Sequence, residues 1–278
     1  MEIDFKPQNV LEQAKKLVKE FVEEMLSGDM DNFRTFDLKQ LRTNDKYGCP
    51  GRNFDCDDTE LMRAVYVILW SDVLPGLQMD NFGYRKQYRG DTLNTFHTMF
   101  GRPIPERPGF FAGVEKYAPT EELREKVRFF GSKYHTVGNY IVLPNYFAGK
   151  TSLNCYRGTN DWHDFFDRFL SELYKVQTGA DSGDEILKEL VQVNSFCFSR
   201  FTGEKGMEIW IEKLFLTEYC SKSNGRPCEI FAMNYHWKNI NARERYLEDA
   251  LHYIDTSCRI ISCRTEKMLA RLKEVLQI

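Results

Sequence analysis

The chain has 278 residues, a formal net charge of −3, 42% hydrophobic residues and 14% aromatic residues. That apolar content supports a proper core and argues against disorder over most of the length, while the near-neutral balance gives no strong global field for nucleic acid. The 38 Lys and Arg still leave room for a local basic patch.

No apolar run approaches the ~20 residues of a membrane span, and the opening MEIDFKPQNV lacks the charged, apolar and small-residue order of a secretion signal. The eight cysteines are scattered, with no C-x-x-C pair. Cys155, Cys197 and Cys258 fall in apolar patterns and read as buried free thiols. This usage points to a reducing cytoplasm and away from a disulfide scaffold or structural zinc. The whole chain, 1–278, reads as a single domain, with a weak internal boundary near 159.

In chain order, apolar residues at three- and four-residue spacing from Val10 to Met25 predict a helix over 9–27, with Asn9 and Glu12 at its start and Gly28 at its end. The polar stretch 28–58 carries Asp55, Asp57 and Asp58, which suit the start of the next helix, expected from Asp58 or Thr59 to Trp70. Residues 77–119 read as irregular. Pro119, Thr120 and two acids open a helix over Glu121 to Phe130.

Two short runs, Tyr140–Leu143 and Leu153–Tyr156, frame a turn and predict a β-hairpin. After Gly158 the pattern is helical. A stripe from Trp162 to Leu173 ends near Gly179, and Ser182 with Glu185 matches a capping box. Met207–Tyr219 is a further helix, and Glu229–Met233 a short strand. Asn241 with Glu244 opens a long helix, and Met268, Leu269, Leu272 and Val275 lie on a separate last one. The expected fold class is α+β, predominantly α-helical, with about eight helices around a small antiparallel hairpin or sheet.

The phosphate-loop, dinucleotide, zinc-peptidase and serine-hydrolase motifs are absent. Two polar clusters carry the candidate chemistry. The first gathers Arg89, Asp91, Thr92, Asn94 and His97. Gly90 would turn the backbone beside Arg89, and Asp91 capping a short helix would add amides for an anion. The second gathers His135, Asn139, Asn145, Asn154 and Arg157. Histidine exchanges a proton near neutrality, asparagine orients without charge, and arginine grips carboxylate or phosphate. His135 and His97 are the acid–base candidates; Arg89, Asp91, Asn139, Asn145, Asn154 and Arg157 are the ligand-binding candidates. Each residue also has a structural role open to it, such as a helix-end bond for His135 or turn bonds for the asparagines.

LWSDVLPG (69–76), YRGDTLNTFHTMFG (88–101), YHTVGNYIVLPN (134–145) and SLNCYRG (152–158) together resemble the ordered blocks of a bacterial protein family, a domain of unknown function. That resemblance implies a bacterial cytoplasmic origin and no particular activity. His135, Gly138, Asn139 and Asn154 also resemble the second half of an HNH-type nuclease motif, which would imply a metal at a phosphate. No Asp-His or Glu-His pair precedes them, and His97 alone would substitute. The Tyr-Arg-Gly triplet is similar to that of ADP-ribosyltransferases, without the strand that follows it there.

The sequence thus points to an enzyme or ligand-binding protein for a phosphate-containing ligand, a nucleotide or nucleic acid. The alternatives are a protein-interaction component of a bacterial defence or regulatory complex and a metal-dependent nuclease of the HNH kind. No cofactor or metal is identified by the pattern.

Overall fold

A computed structural model describes residues 7–27, 30–43, 46–47, 59–83, 85–95, 120–159, 164–180, 182–231 and 243–278. The fold is α+β and helix-dominated, with ten α-helices and one two-stranded antiparallel sheet among the described residues. Helix α1 spans Pro7–Leu26, α2 Met30–Thr35 and α3 Glu60–Trp70. Strand β1 is Tyr88–Thr92, α4 Glu121–Tyr134, β2 Tyr140–Pro144 and α5 Leu153–Thr159. Then come α6 Phe166–Thr178, α7 Glu185–Val193, α8 Ser195–Phe198, α9 Gly203–Lys213 and α10 Arg243–Leu276. No described helix is long and apolar enough to cross a membrane.

Most helix boundaries follow from local chemistry. The hydroxyl of Thr59 accepts from the Met62 amide and caps α3, and Thr120 accepts from the Leu123 amide ahead of the acidic first turn of α4. Gly179 ends α6 at φ 75°, a left-handed stop that glycine takes without strain. The cap of α7 is Asp184, whose carboxylate accepts from the Leu187 amide at 2.9 Å; Ser182 instead accepts from the Asp184 amide. The N-cap thus falls two residues later than expected, and with Leu187 at the third helical position it is a single cap and not a capping box.

Four expectations are corrected. Residues 153–159 are helix, not the second arm of a hairpin, and β2 pairs with β1 instead, in the register Tyr88↔Pro144 to Thr92↔Tyr140. The spacing of Leu153 and Tyr156, both buried, suits one face of a short helix as well as a strand. Residues 88–92, expected to be irregular, form β1. The described part of the expected strand at 229–233 is turn. The last two expected helices are one continuous 34-residue helix, α10. Arg264 and Thr265 interrupt its apolar stripe in sequence, yet both are buried on the inner side. Asp55, Asp57, Asp58, Trp162 and Asn241 lie outside the described residues.

The sheet packs against α5 through β2. Every residue of β2 is buried, while β1 alternates, with Arg89 and Asp91 half-exposed on one face. The Val137–Asn139 turn leads into β2 and packs against α10. At Gly138 the approach is so close that an added Cβ would enter the Ile261 carbonyl oxygen and Thr265 Oγ1, and would lie 2.8 Å from the Thr265 amide nitrogen. Backbone on both sides cannot yield cheaply. Gly138→Ala is accordingly expected to cost about 3 kcal/mol or more, at or above the usual overpacking range, measured as the shift in a urea unfolding curve.

Candidate functional site

Two asparagines from the candidate set bracket β2 and extend its ladder. Asn139 Oδ1 accepts from the Asn94 amide at 3.0 Å, and its Nδ2 donates to the carbonyls of Asn94 (3.1 Å) and Tyr134 (2.9 Å). Its side chain thus does what another strand residue would do. At the far end, the Asn145 amide donates to Gln87 O at 2.9 Å, and its Nδ2 reaches the carbonyls of Gly83 and Lys86. His135 caps α4, is 5% exposed, and packs its ring 4.6 Å from that of Tyr134; its carbonyl accepts from the Leu38 amide. His97 lies outside the described residues.

Of the remaining four candidates, Arg157 and Asp91 come together. Arg157, on α5, is fully buried and donates through Nη2 to the carbonyls of Thr92 (3.0 Å) and Leu93 (3.4 Å). Its guanidinium lies over the rings of Phe166 and Phe169, 5.0 and 5.6 Å from their centroids. Asp91 Oδ2 stands 4.0 Å from Nη1, and Asp91 Oδ1 accepts from the Thr92 amide. Asp91 is therefore a strand residue and caps no helix, which corrects the expected amide cradle. Arg89 shares its face two residues away and makes no ion pair or side-chain hydrogen bond among the described residues.

Asn154 is one turn before Arg157 on the same face of α5. It is 3% exposed, and neither its Nδ2 nor its Oδ1 has a hydrogen-bond partner. Nε and Nη1 of Arg157 and Oγ of Ser152 are likewise buried and accept or donate no hydrogen bond among the described residues, Nη1 having only the 4.0 Å ion pair with Asp91. Buried polar atoms are nearly always satisfied, so this concentration around one short helix is unusual. Burial lowers the Arg157 pKa, and the Asp91 charge acts in the opposite direction.

Sequence reasoning missed a second polar knot. Thr95 Oγ1 donates to Asp164, and the Tyr253 hydroxyl reaches the carbonyls of Thr95 (2.8 Å) and Asp164 (2.6 Å). The buried Asp167 accepts from the amides of Arg168 and Phe231. Arg264, also fully buried, donates to four backbone carbonyls: Gly138, Tyr140 (3.0 Å), Leu214 (3.1 Å) and Phe215 (3.2 Å). Burial lowers its pKa from 12.5 to about 10. The available signal was a charged residue inside an apolar run, Asp167 in FFDRFL and Arg264 in IISCRTEKML.

No group of three or more His, Cys, Asp or Glu that could hold a metal occurs among the described residues. Of the half-motif shared with HNH nucleases, Gly138 serves close packing and Asn139 the ladder. Comparison with protein-family models, curated proteins and solved structures finds no match to this chain. Function is therefore read from the chemistry of the site itself.

The two buried arginines should behave differently. Both changes remove a desolvated charge, but Arg264→Met strands four carbonyls and is expected to cost about 3 kcal/mol or more, whereas Arg157→Met strands two and is expected to cost about 1–2 kcal/mol. Paired denaturant curves read the difference.

Buried acids give a pH dependence of definite sign. Burial pushes the Cys197, Cys220 and Cys258 thiols up from 9.0 to about 12, and it also raises the hydroxyls of Tyr88, Tyr219 and Tyr253. The unfolded chain releases these protons first, so their contribution is whole below pH 9 and is lost as pH rises towards 12. Arg264 opposes this only from about pH 10 upwards. The urea midpoint should hold from pH 7.5 to 8.5 and fall between pH 9 and 10.

Proposed function

We propose that this protein binds a phosphate-bearing small molecule, a nucleotide in the first instance, on the face of β1 that carries Arg89 and Asp91. The supporting observation is the set of buried polar atoms on α5 without a hydrogen bond among the described residues: Nε and Nη1 of Arg157 with both amide atoms of Asn154. A buried guanidinium with N–H groups to spare favours an anion, because charge-assisted bonds repay its desolvation. Asn154 offers a donor and an acceptor side by side, the pair that reads the edge of a nucleobase. Arg89, half-exposed and unpaired, stands where an approaching phosphate would first be drawn.

On this reading Arg157 and Asn154 hold the ligand, Arg89 attracts it, and Asp91 compensates the arginine charge before it arrives. His135 is a separate feature at the end of α4. None of Arg89, Asp91, Asn154 and Arg157 makes a described bond to it.

Thermal unfolding of the full chain with inorganic phosphate and with AMP tests the proposal. Ligand at a hundredfold excess over its dissociation constant stabilises by about 2.7 kcal/mol. Wild type should show such a shift with AMP and a smaller one with phosphate. Arg89→Ala, which breaks no described bond, should reduce both, and Asn154→Leu should abolish the advantage of AMP. No shift in wild type, or shifts equal in all three proteins, would overturn it.

A further inference from the structure

A second feature lies away from this site and does not depend on it. Helices α1 and α3 run antiparallel. The Tyr47 hydroxyl bonds Glu24 near the end of α1 at 2.7 Å, while the Tyr47 carbonyl accepts from Leu61 at the start of α3 at 3.2 Å. Between them, closed on one side by Leu77–Asp80, is a half-open groove of about 830 Å³. It is lined along α1 from Val10 to Glu20 and along α3 from Glu60 to Ser71. At 1.5 Å per residue both walls are about 15–16 Å long, which is three helical turns.

The floor is apolar, with Leu11, Ala14, Leu17, Val67, Leu77 and Met79. Its methionine can repack around differing side chains. The charge is set at the ends. The antiparallel packing brings Glu20 and Glu60 to one end, and Asp80 lies toward the other, on the closing segment that follows α3 and folds back along its C-terminal half, where Phe82 stacks on Tyr66. Of these three acids Glu20 already faces Lys46 at 3.7 Å, and the one base among the described lining residues is the exposed Lys16. Glu60 and Asp80 have no ion pair or side-chain hydrogen bond among the described residues. An apolar trough with an acid at either end is complementary to an amphipathic helix with basic ends. Its straight three-turn length favours a helix over a compact small molecule.

We propose that this groove docks a three-turn amphipathic helix of a partner protein, apolar on its buried side and basic at both ends. The apolar side supplies the affinity, and the end charges set register and approach.

Fourteen-residue peptides displayed on phage and selected against the full chain test this. Selection should enrich Lys or Arg near both ends, with large apolar residues at i, i+3 or i+4, and i+7. By fluorescence anisotropy, an enriched peptide should bind E60Q/D80K about three- to tenfold more weakly than wild type, as expected from losing two exposed ion pairs. Circular dichroism of the double variant should match wild type, since neither residue has a described bond to lose. Selection without basic ends, or an affinity unchanged by the double variant, would overturn the proposal. So would dodecylamine displacing the peptide while binding more tightly than any selected sequence, which would mark a small-molecule cavity instead.

Discussion

A guanidinium with no counter-charge holds this fold together at one point. Arg264 has four backbone carbonyls as partners and no carboxylate. Gly138 belongs to the turn before β2 and Tyr140 is the first residue of that strand; the other two, Leu214 and Phe215, belong to the turn after α9. The long helix, the ribbon and that turn are thereby fixed to each other. The turn itself needs the constraint, because Phe215 adopts φ 58°, a left-handed conformation that a bulky residue seldom takes. Dipoles can solvate a buried charge only where their geometry is fixed, so the carbonyls and the arginine define each other's positions. Gly138 belongs to the same contact, since its missing side chain lets the carbonyl reach the helix.

The second buried arginine shows what is different at the candidate site. Arg157 stacks on two phenylalanine rings and donates to two carbonyls, yet Nε and Nη1 make no hydrogen bond among the described residues, and Nη1 has only a 4.0 Å ion pair with Asp91. Arg264 is spent on structure, whereas Arg157 retains capacity. The same division separates the asparagines. Asn139 uses both ends of its amide on backbone, and Asn154 uses neither. Chemical type alone would rank these residues equally; their bonding distinguishes them.

What the sequence made legible follows from range. Helices with a regular apolar stripe and a local cap, such as α3, α4 and α6, could be read because their determinants lie within a few residues. Strand β1 could not, because YRGDT holds Gly and Asp, which are depleted in strands, and its partner lies some fifty residues away. The α5 run is too short for period two and period three to be separated. The continuity of α10 was hidden by Arg264, a polar residue whose burial makes sense only with its distant carbonyls in view. At the site, Arg157 and Asn154 stood out by type and spacing. Their shared face with Asp91 depends on strand pairing that no local pattern encodes.

The pairing of β1 with β2 also separates two kinds of sequence change. The ribbon closes a loop from Thr92 to Tyr140, and the entropy of such a closure is about 3 kcal/mol. Doubling the enclosed length would add only about 0.6 kcal/mol. Closure entropy therefore sets little constraint on chain length between the strands; the constraint comes from what is packed there, α4 and the Val137–Asn139 turn against α10. Register is not neutral: a slip of one residue would turn Arg89 and Asp91 away from α5 and bring Gly90 in their place. A change within α4 or the Gly138 turn disturbs packing on α10, and a change of phase in the ribbon disturbs the face it shows to α5.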